Sequence, residues 1–230
     1  MKHTIHTLPI LLAASALAQT APAPAPAKSA WTQTHNLALA TDYIFRGVSQ
    51  IGGDGSALSG GTDVSHASGF SAGVWASNVS FGGSNLEVDV YAGYALSLGA
   101  FTFSLGAISY HYEGVEAANT TEAYVGVEAF GLAVKYSSSL TDYFGIPYSD
   151  GVGYLAVSYS LDVPGIKGLS LGLAYGATSA EGAQEAYSDY KVSLSYPLGG
   201  YTATVAYTDV DGFDSADVKD TFTFSLSRTF

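Results

Sequence analysis

Leu86-Glu87-Val88-Asp89-Val90-Tyr91-Ala92-Gly93-Tyr94-Ala95-Leu96 decides the fold class. Leu86, Val88, Val90, Ala92, Tyr94 and Leu96 fall at every second position, and Glu87, Asp89, Tyr91, Gly93 and Ala95 fall between them. Side chains of a β-strand point alternately to its two faces, so this period gives one greasy face and one polar face. The pattern recurs at 122–129, where Ala123, Val125, Val127 and Ala129 oppose Glu122, Tyr124, Gly126 and Glu128. It returns at 189–196, where Tyr190, Val192, Leu194 and Tyr196 oppose Asp189, Lys191, Ser193 and Ser195. Near the end Phe222, Phe224 and Leu226 stand against Thr221, Thr223 and Ser225. Helical spacing is hard to find anywhere.

Twelve segments read this way: 34–46, 57–66, 69–79, 85–96, 100–112, 121–130, 131–138, 152–162, 168–177, 188–197, 200–208 and 219–230. The shorter ones are near the ~9–11 residues with which a tilted strand crosses a bilayer. Segment 69–79 alternates poorly, because Val74 and Trp75 are adjacent. Turns near 67–68, 97–99, 130–131, 163–167 and 198–199 are short and rich in Gly or Pro. Those near 47–56, 80–84, 113–120, 139–151, 178–187 and 209–218 are mostly longer and polar, and the two kinds alternate in strict order. An outer-membrane barrel does this, with tight periplasmic turns and longer outer loops. The expected fold is all-β: a closed, antiparallel, up-and-down transmembrane β-barrel of twelve strands. Ten or fourteen strands stay open, because 131–138 is short and 139–151 is long. A soluble β-sandwich would also alternate. Against it, Phe70, Tyr94, Phe101, Phe130, Tyr196 and Tyr201 crowd the short turns, as an interfacial girdle would. The chain also stops on an aromatic, Phe230, which resembles the C-terminal assembly signal of outer-membrane barrels, although Arg228 takes a place where an apolar residue is commoner.

Residues 1–18 read as a secretory signal, with Lys2 at the start, an apolar stretch from Leu8 to Leu17, and an Ala16-Leu17-Ala18 cleavage site. Residues 19–33 form an Ala/Pro-rich periplasmic leader, whose Ala-Pro alternation between Ala21 and Ala27 forms neither helix nor sheet ladder. The barrel is assigned to 34–230. An even strand count puts both termini on the periplasmic side, where the signal and leader also place the N-terminus.

Composition excludes whole classes of function. Eight Lys and Arg face twenty Asp and Glu, for a net charge of −12, so a nucleic-acid partner is excluded as a working idea. Cysteine is absent, which removes disulfides, zinc ribbons, iron–sulfur ligation and thiol catalysis. Glycine at 27 and tyrosine at 17 suit a β protein with many turns.

The run Thr41-Asp42-Tyr43-Ile44-Phe45-Arg46-Gly47-Val48-Ser49-Gln50 resembles the opening strand and loop of the TorF family of porins, a bacterial group also catalogued as of unknown function. Gly73-Val74-Trp75-Ala76-Ser77-Asn78-Val79 and Leu86 to Tyr94 look similar too. The likeness is sharp over 36–96 and diffuse to Phe230. It implies a Gram-negative outer-membrane protein that acts as a channel. It carries over no catalytic or ligand residue.

Alternation sorts the charges, because a cation facing lipid at mid-bilayer costs ~2–4 kcal/mol. By this rule Asp42, Asp63, Glu87, Asp89, Glu122, Glu128 and Asp189 line the lumen, with Arg46, Lys135 and Lys191. Seven acids against three cations predict a mild preference for cations. The alternative is that these charges pair and plug the tube. Asp42 and Arg46, read on one strand about 13 Å apart, are too distant to pair with each other; either could pair across strands, for example Arg46 with an acid on 57–66 or on the closing strand.

The outer loops carry further acids, and Asp209, Asp211, Asp214 and Asp217 hint at a calcium loop without its terminal Glu, so a solvated acidic hairpin is preferred. No metal site or cofactor is expected. His66 and Ser68 have the spacing of barrel phospholipases, and His111 beside Glu113 is a conceivable general base. Both lack supporting motifs, so an enzyme is not expected. Expected partners are outer-membrane lipid and lipopolysaccharide, the barrel assembly machinery through Phe230, and small polar or cationic solutes. The competing reading is a closed structural or surface-interaction barrel.

Overall fold

Strands with one greasy and one polar face leave unpaired backbone at two edges, and closure removes both. In the computed structural model, which describes residues 30–52, 55–212 and 220–230, the sheet closes. The strands in chain order are β1 (Trp31–Ala40), β2 (Ile44–Phe45), β3 (Val48–Ser49), β4 (Ala57–His66), β5 (Phe70–Phe81), β6 (Ser84–Leu98) and β7 (Phe101–Tyr112). They continue as β8 (Thr120–Ala129), β9 (Leu132–Ser139), β10 (Gly153–Asp162), β11 (Ser170–Thr178), β12 (Tyr187–Leu198), β13 (Tyr201–Asp211) and β14 (Thr221–Thr229). Among the described residues, twelve of these form one antiparallel up-and-down barrel, and β2 and β3 form a separate hairpin. β1 closes on β14, with Leu37 opposite Arg228 and Ala40 opposite Ser225.

Most boundaries shift by a residue or two from the sequence expectation, and those around β1 and between β5 and β6 matter most. β1 begins at Trp31, so the last residues assigned to the leader are already strand. It ends at Ala40, and the chain then leaves the wall, so the expected strand 34–46 is strand and inward loop joined. The expected loop 80–84 is the two-residue turn Gly82-Gly83, because β5 and β6 extend past their neighbours. The short segment at 131–138 is a true strand, β9. Residues 1–18, most of the leader, and Asp214 and Asp217 lie outside the described residues.

The outer face is an apolar band between aromatic rims. Leu37, Leu39, Val74, Val90, Leu105, Val125, Leu173, Val192 and Val205 are exposed on it. At the short-turn end Trp31, Phe70, Tyr94, Phe101, Phe130, Tyr196 and Tyr201 are exposed, with Phe101 and Phe130 packed edge to face. Toward the long-loop end Tyr175 packs at a tilt against Tyr190, and Phe222 lies beside Tyr207. Such a band between two girdles is what a transmembrane barrel offers to lipid. Arg228 faces outward at the short-turn rim, where its guanidinium lies over the rings of Tyr201 and Phe230. Ring faces there partly replace water around the charge.

Inside, burial is uneven. Inward side chains near the long loops are buried, among them Glu87, Asp89, Thr120, Glu122, Tyr187 and Asp189. On the same strands, Tyr91 and Gly93 of β6 and Tyr124 and Glu128 of β8, nearer the short turns, are half-exposed. The interior is thus filled at one end and accessible at the other.

Candidate functional site

What fills the long-loop half is residues 41–51. The loop is anchored where it leaves the wall. Thr41 N–H donates to the Phe224 carbonyl (2.9 Å), and Phe224 N–H donates back to the Thr41 hydroxyl (3.0 Å). Asp42 then accepts from the Ser49 hydroxyl (2.9 Å), and Gln50 N–H donates to the Tyr43 carbonyl (2.7 Å). On the return, Ser80 N–H of β5 donates to the Gln50 carbonyl (2.7 Å). Ile44 and Phe45 pair with Ser49 and Val48 across a two-residue turn, Arg46-Gly47, and both turn residues have positive φ (47° and 83°). That is the tight hairpin turn whose twist matches its strands. Gly47 is required twice over, because a Cβ there would collide with Val210 and lie 2.8 Å from Asp189 Cβ. The tip therefore touches the wall at β12 and β13.

An apolar cluster holds the hairpin in place. Tyr43, Phe45 and Ile51 pack with inward residues Val79, Ile108, Tyr110 and Tyr112, and Trp75 joins them. Tyr43 meets Trp75 at 5.5 Å and Phe45 meets Tyr110 at 5.7 Å between ring centroids. This explains the broken alternation at Val74-Trp75. Trp75 faces inward because the hairpin gives it an apolar partner. The loop at 140–152 completes the packing. Its Phe144 ring lies against Phe45 (5.5 Å) and Tyr110 (5.2 Å). Its shape is fixed by the Thr120 hydroxyl, which donates to the Asp142 carbonyl (3.0 Å) and accepts from Phe144 N–H (2.7 Å).

Arg46 is carried to the far side. β8, β9 and β10 lie half-way round the ring from β1 and β4, where the hairpin is rooted. There Arg46 Nη2 donates to Glu122 Oε2 (2.7 Å) and Nη1 to the Tyr143 hydroxyl (3.2 Å). The guanidinium carbon is 4.2 Å from the Tyr154 ring centroid and 4.8 Å from that of Phe45. Both side chains of the Arg46–Glu122 pair are almost wholly buried, at 5% and 1% exposure. Arg46 does pair with an acid across the barrel, but on β8 rather than on 57–66 or the closing strand; the hairpin carries the side chain past both. Burial works against the guanidinium charge, but Glu122 and the Tyr143 and Tyr110 oxygens outweigh it, so Arg46 is held more firmly protonated than usual. Burial pushes the Asp42 carboxyl up, with the Ser49 hydroxyl pulling the other way.

The remaining expected lumen residues fall into two groups. Near the hairpin, Glu87 accepts from the Tyr43 hydroxyl (2.8 Å), and Asp189 accepts from that of Tyr154 (3.0 Å). Asp89 is 1% exposed and neither carboxylate oxygen has a hydrogen-bond partner; Glu122 Oε1 is likewise unpartnered. Lys135 and Lys191 point inward, with Lys135 Nζ over the Tyr124 ring at 5.4 Å. Further toward the short turns, Asp63 accepts from the Tyr91 hydroxyl (2.6 Å), and Glu128 is half-exposed. Asp42 and Arg46 are inside because of the loop and not by strand alternation. The sequence reading missed Tyr43, Tyr110, Tyr143 and Tyr154 as binding partners. Tyr110 and Tyr154 left a signal, as aromatic residues at polar-face strand positions, whereas Tyr43 and Tyr143 lie in loops to which alternation assigns no face.

The histidines stay apart from this site. His66 is on the outward face beside Trp31 (4.8 Å between centroids), and its Nδ1 caps the turn at Ser68 (2.8 Å to Oγ). His111 is exposed on β7 opposite Val88. Neither bonds a carboxylate among the described residues. Asp209 accepts from the N–H of its neighbour Val210 (2.9 Å).

Comparison with known proteins gives a family and a fold. The model of the family Gcw_chp, described as a bacterial protein of unknown function, matches residues 24–230, so the chain belongs to that family. The name TorF rests on the resemblance of the three stretches above. No curated protein matches. Among solved structures, the KdgM porin is similar with a TM-score of 0.59 and 12% identity, over 86% of this chain and 98% of that one. The KdgM porin in complex with disordered oligogalacturonate is similar over the same shares, with a TM-score of 0.57 and 12% identity. At that identity the likeness is one of fold.

Proposed function

We propose that this member of the Gcw_chp family is a porin-like channel of a Gram-negative outer membrane, passing small polar solutes by diffusion. One observation carries the reading: an apolar, aromatic-rimmed exterior closes around a polar, acid-rich interior accessible from the short-turn end. A sheet built this way is stable only with lipid outside and water inside. The likeness to porin folds supports it. In this reading residues 1–18 direct export, the leader from 19 up to the start of β1 at Trp31 trails into the periplasm, and Phe230 engages the assembly machinery. Lipid and lipopolysaccharide surround the wall.

The mechanism is electrostatic and steric. Asp63, Glu87, Asp89, Glu122, Glu128 and Asp189, with Asp42, outnumber Arg46, Lys135 and Lys191 along the path. Like charges in a low-dielectric tube concentrate counter-ions, so cations and cationic solutes are favoured. A galacturonate chain, as held by one of the similar porins, would meet net repulsion here. The hairpin 41–51 narrows the path at the long-loop end. A reversal potential in a KCl gradient tests the charge: cation selectivity is expected, and anion selectivity refutes it.

A second reading has its own observation. The Arg46–Glu122 ion pair fastens the hairpin across the interior, as a closed structural barrel would require. Stepwise currents in a planar bilayer favour the channel, and silence favours the closed barrel.

A further inference from the structure

We propose that the pocket around Arg46 is a station for a guanidinium-type cation, which the hairpin's own side chain occupies and a solute of that class competes for. Binding stands on geometry alone; that it regulates passage rests on the channel reading. Arg46 is held by contacts that a free guanidinium could make equally well. They are one oxygen of Glu122, the Tyr143 hydroxyl, and the ring faces of Tyr154 and Phe45. A planar cation between ring faces and a carboxylate is the setting this chemistry prefers.

A second observation points to a ligand independently of Arg46. The carboxylate of Asp89 is 1% exposed and aimed into the interior, and both its oxygens lack a hydrogen-bond partner. Oε1 of Glu122 is also unpartnered. A buried carboxylate without a partner carries a large desolvation penalty, which an added cation relieves. The strand register places the two acids on either side of one strand: Asp89 pairs with Tyr110 of β7, and Glu122 pairs with Ile108 of the same strand. The wall thus presents more carboxylate than one guanidinium satisfies.

The occupant is also positioned to leave. Arg46 holds a left-handed backbone, φ 47°, which non-glycine residues rarely adopt. Its hairpin has two paired residues on each side. A solute guanidinium that takes Glu122 and Asp89 removes the ion pair at the hairpin tip and leaves the tip held by apolar packing, with the polar anchors of the loop confined to its base and to Tyr43. Arg46 is then an internal competitor, and cationic solutes ease their own entry.

The test is calorimetric titration of methylguanidinium chloride into the full-length barrel in detergent, at ionic strength held constant with NaCl. Removing the internal competitor in Arg46→Ala should make methylguanidinium bind at a single site at least about tenfold more tightly than in the wild type. Adding Glu122→Gln or Asp89→Asn to that variant should cost at least about tenfold of the gain. Arg46→Gln gives the same comparison if Arg46→Ala does not refold. In wild type carrying Trp31→Phe, methylguanidinium should also red-shift Trp75 emission where equal NaCl does not. Binding no tighter in the arginine variants than in wild type, or indifferent to both carboxylates, overturns the proposal. So does an unmoved Trp75. Bilayer currents on the same samples separate the two claims: binding without current in any variant leaves the station and removes the channel, and current without binding does the reverse.

Discussion

Arg46 and Glu122 are 76 residues apart in the chain and 2.7 Å apart inside the barrel. Their worth is decided by burial. Removing one partner of a buried pair strands the other charge in a poor solvent, at a typical cost of ~3–5 kcal/mol, whereas removing both costs much less. Arg46→Ala and Glu122→Ala should each lower stability in urea titrations of the refolded barrel, and the double variant should lose less than the sum of the two. Strict additivity would mean that the pair is not coupled. Gly176 is a second position where a single atom decides. A Cβ there would collide with the Tyr154 hydroxyl and the Asp189 carboxylate, which are hydrogen-bonded at 3.0 Å. Gly176→Ala should therefore displace Tyr154 from Arg46 and lower the urea midpoint, while Gly99→Ala, in an open turn, leaves the Tyr154–Arg46 contact untouched.

At the scale of elements, the hairpin is the part whose behaviour differs from the wall's. Gly47→Ala blocks the tip against Val210 and Asp189 and demands a left-handed backbone from alanine. The wall has no part in that turn, so the barrel should form with unchanged circular dichroism while the hairpin undocks. Emission of Trp75, in a Trp31→Phe background, should shift to longer wavelength as Tyr43 and its cluster withdraw; an unchanged spectrum counts against the docked hairpin. The strands themselves were legible in the sequence because period two is a local property. The eleven residues from Leu86 to Leu96 declare their faces without knowing what they pair with. The hairpin was not legible, because Tyr43 to Arg46 continues β1's composition and only Arg46-Gly47 marks a turn. Its partners Glu122, Tyr143 and Tyr154 are brought to it by closure of the sheet, which no local pattern encodes. The apolar residues on the polar face, Trp75, Val79, Phe81 and Ile108, were the trace it left. That strand 69–79 alternates badly is the same fact seen from the sequence.

For the whole molecule, the partition between lipid and interior is open to direct perturbation at neighbouring positions of β13. Val205 is exposed on the band and Thr204 faces inward, where its hydroxyl meets that of Ser195 at 2.8 Å. Val205→Lys should destabilise the barrel by ~2–4 kcal/mol in reversible unfolding from lipid vesicles. Thr204→Lys should cost about 1 kcal/mol, the worth of one hydrogen bond. Equal costs at the two positions would mean that the faces are misassigned. Family membership sets the bacterial context, and the barrel's likeness to porins sets the architecture. On the proposed channel reading, what the molecule passes is set by the charge and width of its interior, and both converge on the hairpin. The most direct measurement is single-channel conductance in a planar bilayer for wild type and for a variant in which residues 44–49 are replaced by Gly-Gly. A channel throttled from within gives small, cation-selective steps for the wild type and steps at least about twofold larger for the variant. Equal conductance, or silence from both, contradicts a hairpin-gated pore.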